Sequence, residues 1–295
     1  MSVQNGVPPD SVKDRRKVAM VIGAGSVKCA AALGMWRVLR REGIEVDLYV
    51  GCSGGCLYAA VMSLDYTLEE AEQLTKRLWT REVTARKDLR SLLSMIVPRL
   101  VPFAGYFGLV NEEPLNAALR ATFGERTFDE CVAPLHMVAT DLQNGERVVL
   151  SSGRIADAVR ASVAMPYVWP PARVGDRWLL DGCMTDPLPV DVAIREGADV
   201  VLAMGFEAAY PRRIRSASRY AFQVNSIYTN NLLRANYGFH NLAHHDEILL
   251  ILPDFDRPVG LFDTDRIPEV IKAGERATEA QLPYLERILA TPITS

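Results

Sequence analysis

The chain has 295 residues, 49% of them hydrophobic and 23% charged, with 33 basic against 36 acidic side chains for a formal net charge of −3. That length is ample for a sizeable core, and so ordinary a composition excludes wholesale disorder, collagen and repeat architectures. The slight acidity argues against a general nucleic-acid binder, which would normally be basic.

Residues 1–16 are polar and are expected to form a disordered tail. The basic run Lys13–Lys17 followed by Val18–Ile22 resembles an export signal only superficially, because the apolar stretch soon reaches Gly23, Gly25 and Lys28. A lipoprotein reading of Cys29 fails as well, since Lys28 stands where a small residue is needed. The five cysteines, Cys29, Cys52, Cys56, Cys131 and Cys183, are odd in number and irregular in spacing, which suits reduced thiols in the cytoplasm and neither a disulfide framework nor zinc.

The predicted elements alternate between strand and helix. Lys17–Gly23 reads as a buried strand feeding a glycine turn, and Val27–Arg41 as a helix with Ala30, Leu33, Val38 and Leu39 on one side and Arg37, Arg40 and Arg41 on the other. Asp47–Val50 is a short strand running into Gly51-Cys52-Ser53-Gly54-Gly55, followed by a buried helix over Cys56–Ser63 and an amphipathic one over Leu68–Trp79. Leu92–Val110 is apolar but broken by Pro98, Arg99 and Pro102. It is too interrupted to span a membrane, and is read as a flap over an apolar pocket, an interfacial piece or a connector packed on the core. Pro134–Thr140, Arg147–Ser151, Ala198–Gly205 and Glu247–Leu252 read as strands; Ile155–Ala164, Pro189–Glu196 and Ile267–Leu289 read as helices. The alternation predicts one α/β domain over residues 17–290, with a mostly parallel central sheet between helical layers and a short tail at 291–295.

Gly51-Cys52-Ser53-Gly54-Gly55 matches G-x-S-x-G, the pattern that sets a serine on a sharp strand-to-helix turn. The glycines at 51, 54 and 55 let neighbouring backbone approach, and the following helix points its positive end at the serine oxygen. Gly23-Ala24-Gly25-Ser26-Val27-Lys28 is a second such turn. Its exposed N–H groups suit an oxyanion, whereas Lys28 spoils a dinucleotide fingerprint and no P-loop pattern is present. A serine nucleophile needs a base. His136 lies within a predicted strand; His240, His244 and His245 share a polar helix end. The remaining candidate is Asp181 in Leu179-Leu180-Asp181-Gly182-Cys183, where apolar neighbours would raise the pKa of the carboxylate and Gly182 lets the chain turn. An ordinary Asp-Gly turn is the alternative.

In combination these motifs resemble a patatin-like phospholipase: a glycine-rich turn after the first strand, G-x-S-x-G about 30 residues later, and Asp-Gly 128 residues beyond Ser53. Ala161-Ser162-Val163-Ala164-Met165-Pro166, Trp169-Pro170-Pro171, Ala139-Thr140-Asp141-Leu142 with Gly145-Glu146, and Asp186-Pro187-Leu188-Pro189-Val190 extend the likeness over residues 17 to 290. The resemblance implies a three-layer fold and a Ser53–Asp181 dyad that hydrolyses fatty-acyl esters without a catalytic histidine. It also implies an oxyanion hole from the Ala24, Gly25, Ser26 and Gly54 amides. No metal or organic cofactor is implied; the partner is a lipid or fatty-acyl ester, met by a cytoplasmic enzyme in passing contact with a membrane surface.

The chain departs from the family's glycine-rich turn at Ala24, Ser26 and Cys29, and a side chain at any site that needs positive φ would be strained. Cys29, Cys52 and Cys183 sit in motifs that the fold brings together, so a redox-sensitive site stands beside plain close packing as an expectation. Two rival readings are an α/β-hydrolase triad of Ser53, Asp181 and one of His240, His244 or His245, and a non-catalytic lipid-binding module. The cluster Arg212, Arg213, Arg215 and Arg219 could touch anionic headgroups, although a solvated helix face is the plainer reading.

Overall fold

The computed structural model describes residues 15–78, 80, 83, 107–208, 210, 213–214, 217–243, 247–257, 259–260 and 263–291. One eight-stranded sheet organises them, in the order β5-β6-β3-β2-β1-β7-β8 with β4 paired to β3. The central strands β1 (Val18–Ile22), β2 (Leu48–Cys52) and β7 (Val200–Met204) are fully buried, which is why each reads as a continuous apolar run. They pair in parallel with one another, with β3 (Leu135–Asp141) and with β8 (Glu247–Ile251). The far edge is antiparallel, formed by β4 (Arg147–Leu150), β5 (Ala172–Val174) and β6 (Arg177–Asp181). This is the expected mixed, mostly parallel sheet between helical layers.

The strand period of two divides the core. Val18, Met20 and Ile22 of β1 face one layer, containing α1 (Ala31–Arg41), α2 (Gly54–Ser63) and α5 (Ile155–Ser162). Ala19 and Val21 face the other, containing α6 (Val190–Arg195) and Leu233 of α7 (Ala217–Ala243). The first layer also holds α3 (Leu68–Leu78) and α4 (Glu113–Phe123). Because β2 and β7 flank β1 on opposite sides, the chain reverses its direction of travel across the sheet beside β1. The loops at the carboxyl ends of these strands meet there, where open α/β sheets build their sites.

Two expected helices differ in detail. The segment after Ser26 begins as a 3₁₀ turn, Ser26–Ala30, before α1. The single helix expected over Ile267–Leu289 is two, α8 (Ile267–Glu279) and α9 (Leu282–Ala290), because Pro283 lacks an N–H and its ring is tolerated only in the first turn. Most of Leu92–Val110 lies outside the described residues; its last residues add backbone bonds, with the Leu109 and Val110 amides donating to the Tyr167 and Val168 carbonyls at 2.9 Å. No helix among the described residues is long and apolar enough to cross a membrane.

Candidate active site

Ser53 occupies the turn between β2 and α2 with φ of 54°, a left-handed conformation that non-glycine residues rarely adopt. Close packing dictates the glycines around it. A Cβ at Gly55 would fall 2.2 Å from the Ile22 carbonyl oxygen, so only glycine lets α2 begin this near β1. Gly51, one residue before the end of β2, lies against the backbone of Cys56, and Gly54 lies against the backbone of Ser26. Three bonds hold the strained turn. Ser53 N–H donates to Ser162 Oγ at 2.8 Å, Ser162 donates in turn to the Val138 carbonyl at 2.6 Å, and Ser53 Oγ bonds Asp181 Oδ2 at 2.7 Å.

Asp181 arrives from the opposite direction at the end of β6, its backbone paired with Ala139. It has no exposed surface, and burial pushes its pKa up to about 6 against the opposing pull of hydrogen bonds from Cys183 and Ser53. The Cys183 amide donates to Oδ1 at 2.9 Å, leaving Oδ2 for the serine. Gly182 is required for contact: its Cβ would lie 2.2 Å from the Val138 carbonyl oxygen. A buried serine hydroxyl thus bonds directly to a buried carboxylate, with no imidazole between them.

The turn after β1 completes the cluster. Ala24 does not offer its N–H, which donates to the Pro187 carbonyl at 2.8 Å. The amides of Gly25 and of Gly54, the first residue of α2, donate to no protein group among the described residues. Of the three departures from glycine in this turn, only Ser26 has positive φ, 52°. Pro187 is itself held by a buried ion-pair network, in which Arg147 binds Asp186 at 2.5 Å and both carboxylate oxygens of Asp191, while Asn236 reaches Asp186 at 3.2 Å. The segment Asp181–Pro189 therefore positions both the carboxylate and the neighbouring turn.

A narrow apolar groove begins at Gly54 and runs between Leu57, Leu115, Leu119, Val159, Val163 and Trp169, with Leu78 and Val83 behind. Its free volume is about 30 Å³. The Trp169 indole N–H is buried there with no partner among the described residues.

The remaining sequence candidates fall elsewhere. His136 lies on β3 with Nε2 3.8 Å from Glu196, and burial lowers its pKa. His240 belongs to α7; its side chain and all of His244 and His245 lie outside the described residues. Cys29, Cys52, Cys56 and Cys183 are buried, with the thiol of Cys56 pushed to about 12 and the other three raised well above their ordinary value. Such thiols carry almost no thiolate at neutral pH, which favours close packing over redox sensitivity. Arg212 and Arg215 lie outside the described residues, and Arg213 is exposed. The roles of Ser162 and Pro187 are not legible in local sequence, because their contacts join segments far apart in the chain.

A family model for patatin-like phospholipase matches residues 20–194, which include both strand-to-helix turns, Ser53 and Asp181. The chain belongs to the patatin-like phospholipase family. Among its relatives, an uncharacterised NTE family protein of Mycobacterium tuberculosis is 27% identical over 77% of this chain and 58% of its own length. The rat patatin-like phospholipase domain-containing protein 7 is 26% identical over 63% of this chain, but over only 13% of its own. The uncharacterised protein YqhO of Bacillus subtilis is 24% identical over 88% of this chain and 96% of its own length. The chain thus spans little more than half of the mycobacterial relative and a small part of the mammalian one. VipD of Legionella pneumophila shares the fold, with a TM-score of 0.50 at 15% identity over 92% of this chain and 67% of its own. The patatin-like scaffold is one of lipid hydrolases.

Proposed function

We propose that the chain is a serine acyl hydrolase that cleaves fatty-acyl esters through a Ser53–Asp181 dyad and an acyl-enzyme. The 2.7 Å contact between a buried Ser53 hydroxyl and a buried Asp181 carboxylate carries this reading. Ser53 Oγ attacks the ester carbon as its proton passes to Asp181 Oδ2, and the carbonyl electrons move onto oxygen. The Gly25 amide in the turn after β1 and the Gly54 amide at the positive end of α2 are the donors for that oxyanion. Collapse of the tetrahedral species expels the alcohol, which takes the proton from Asp181. Water then attacks the acyl-enzyme with Asp181 again accepting a proton, and the fatty acid leaves as Ser53 recovers its own.

The acyl chain is assigned to the groove beside Gly54. At about 30 Å³ that groove must widen before a fatty-acyl chain enters, so substrate entry includes movement of its walls. Lipase, phospholipase A and lysophospholipase activities all use this chemistry and differ in the alcohol that leaves. Transient contact with a membrane surface belongs to the same proposal, since fatty-acyl esters reside there. One observation favours a second reading, a lipid-binding module without turnover: serine rather than glycine holds φ of 52° in the oxyanion turn.

A fluorescent fluorophosphonate, applied to wild type and Ser53→Ala followed by peptide mapping, separates the two. Labelling confined to Ser53, with matching loss of hydrolysis of a fatty-acyl ester, supports the hydrolase. A folded wild type that neither labels nor hydrolyses rejects it in favour of the binding module.

A further inference from the structure

Between Glu207 and Asp246 the sequence carries five arginines and not one Asp or Glu, in a chain whose net charge is −3. Most of that stretch is α7. At 3.6 residues per turn the helix has two distinct faces. Ser226, Asn230 and Leu233 lie on the buried one. Tyr220, Ile227 and Tyr228 lie on the opposite one and are 62%, 40% and 65% exposed. Exposed Asn231 and Ala235 continue that stripe, and Arg234 at its margin is paired with Glu207. A surface helix ordinarily turns charged and polar side chains outward; here the outward face is aromatic and aliphatic.

The buried face of the same helix braces the candidate active site. Asn230 clamps the backbone of Ala208, whose amide donates to Oδ1 and whose carbonyl accepts from Nδ2, both at 2.9 Å. Ala208 is two residues beyond Phe206, the ring that packs on Gly25. Farther along, Asn236 Nδ2 donates to Asp186 Oδ1 at 3.2 Å, in the segment that joins Asp181 to Pro187. One helix therefore ties together the oxyanion turn and the segment carrying the carboxylate, and shows its apolar side to the exterior.

An exposed apolar stripe of this kind marks an interaction surface. Its charge setting selects the occupant. In a two-fold dimer each patch meets its own image, so a second copy would set a surface without carboxylates, flanked by arginines, against another of the same sign. An anionic lipid surface answers both features at once. Tyrosine and aliphatic side chains settle at headgroup level, and arginines are drawn to the negative potential there. Arg213, four residues before α7, is exposed and pairs with no carboxylate among the described residues.

We propose that the outer face of α7, together with Arg213, is the surface by which the protein docks on an anionic lipid bilayer. The inference rests on the acyl-hydrolase reading for its purpose, which is to lay the braced site against its substrates. Docking itself requires no turnover, so the two are tested separately.

Sedimentation with phosphatidylcholine vesicles, with and without phosphatidylserine, would be run on the Ser53→Ala protein so that no lipid is consumed. On that background a double variant, Ile227→Ser with Tyr228→Ser, is compared with Arg213→Glu. All three side chains are exposed, and circular dichroism checks the fold. Hydrolysis of a short soluble ester by wild type is measured alongside, because it reports the proposed reaction without a surface. Binding to phosphatidylserine vesicles that falls with added salt, weakens roughly tenfold or more in the double variant and several-fold in Arg213→Glu, supports the surface. The same binding in a protein whose wild type hydrolyses no ester keeps the surface and rejects the hydrolase. Hydrolysis of the soluble ester without vesicle binding overturns the surface alone. Vesicle binding that neither variant weakens overturns it too. So does a dimer, seen by analytical ultracentrifugation, that the double variant dissolves while vesicles go unbound.

Discussion

Two strand-to-helix turns lie side by side at the carboxyl edge of the sheet, and each puts a serine in the left-handed region, Ser26 at φ 52° and Ser53 at φ 54°. Similar strain is held by different means. Around Ser53 it is opposed by directed bonds, the amide to Ser162 and the hydroxyl to Asp181, so the constrained residue is also the one presented for chemistry. The Ser26 turn is pinned through its neighbours as well: Ala24 bonds Pro187, Gly25 packs on the Phe206 ring, and Gly54 presses on the Ser26 backbone. The first turn positions a side chain, whereas the second positions backbone amides. Substitutions at the two turns should therefore fail in different currencies, and that contrast can be tested.

The largest effect belongs to Ser53 itself. Ser53→Ala should reduce ester hydrolysis by roughly 10⁴-fold or more with the circular dichroism spectrum unchanged, since it removes the attacking oxygen and leaves the backbone bond to Ser162 in place. Residual turnover close to wild type would remove Ser53 from the mechanism.

Asp181→Asn should cost roughly 10²- to 10⁴-fold in kcat/KM, the usual worth of a positioned base. It also has a signature in stability. The folded carboxyl titrates at about 6, above its ordinary 3.8, because burial disfavours the charged form. The folded state therefore keeps the proton longer than the unfolded chain, and stability falls as pH rises from about 4 to about 6, then stays level. Neutral asparagine escapes that loss, so the variant should gain up to about 3 kcal/mol at pH 8 and nothing comparable at pH 4 in denaturant titrations. Wild-type kcat/KM should rise through an apparent pKa near 6 to a plateau, as the base ionises. A falling acid limb, or a destabilised Asp181→Asn at pH 8, would contradict the assigned burial of charge.

The Ser53 turn was much the more legible of the two. A buried apolar strand, G-x-S-x-G and a small-residue helix follow one another locally, and the apolar pair before Asp181-Gly182 correctly suggested a desolvated carboxylate. Three things were not legible, each for a physical reason. The Ala24 amide is spent on Pro187, 163 positions away, and no local pattern encodes that bond. In β6 the run Arg177-Trp178-Leu179-Leu180-Asp181 lacks clean alternation because it is partly exposed at the antiparallel edge, and the three-residue β5 is too short to show a period. The 27-residue α7 mixes polar and aromatic residues on a helix whose outer face exposes Tyr220, Tyr228 and Phe239, which blurs its amphipathic stripe. By contrast the break between α8 and α9 is encoded locally by Pro283, although the apolar spacing runs straight through it.

Ser162 tests how the first turn is held. Its hydroxyl accepts from Ser53 N–H and donates to Val138, and the Cys56 thiol lies 3.0 Å away. Ser162→Ala leaves the Ser53 amide unpaired inside the protein and should cost about 1–3 kcal/mol in stability. Because the loss falls on nucleophile placement, kcat should drop with KM little changed, and the rate of fluorophosphonate labelling should drop in parallel. An unchanged kcat with lowered stability would make Ser162 a packing residue only.

The smallest effect is expected at Ser26, and it bears most directly on the contrast between the turns. A left-handed residue with a Cβ carries a penalty of roughly 1–2 kcal/mol, which glycine avoids while losing roughly half of that gain again to the entropy of the unfolded chain. Ser26→Gly should therefore stabilise the protein by about 0.5–1 kcal/mol in denaturant titrations. If the serine serves only to shape backbone, ester hydrolysis should stay within a few-fold of wild type, because Gly25 and Gly54 keep their amides in place. A rise in kcat beyond that would mean that strain at Ser26 holds the oxyanion turn away from its best geometry, and the low-turnover reading would be restricted to the wild-type sequence. A collapse in kcat with stability gained would show instead that the Ser26 side chain takes part in the site, and the two turns would then be alike in presenting a hydroxyl rather than opposed.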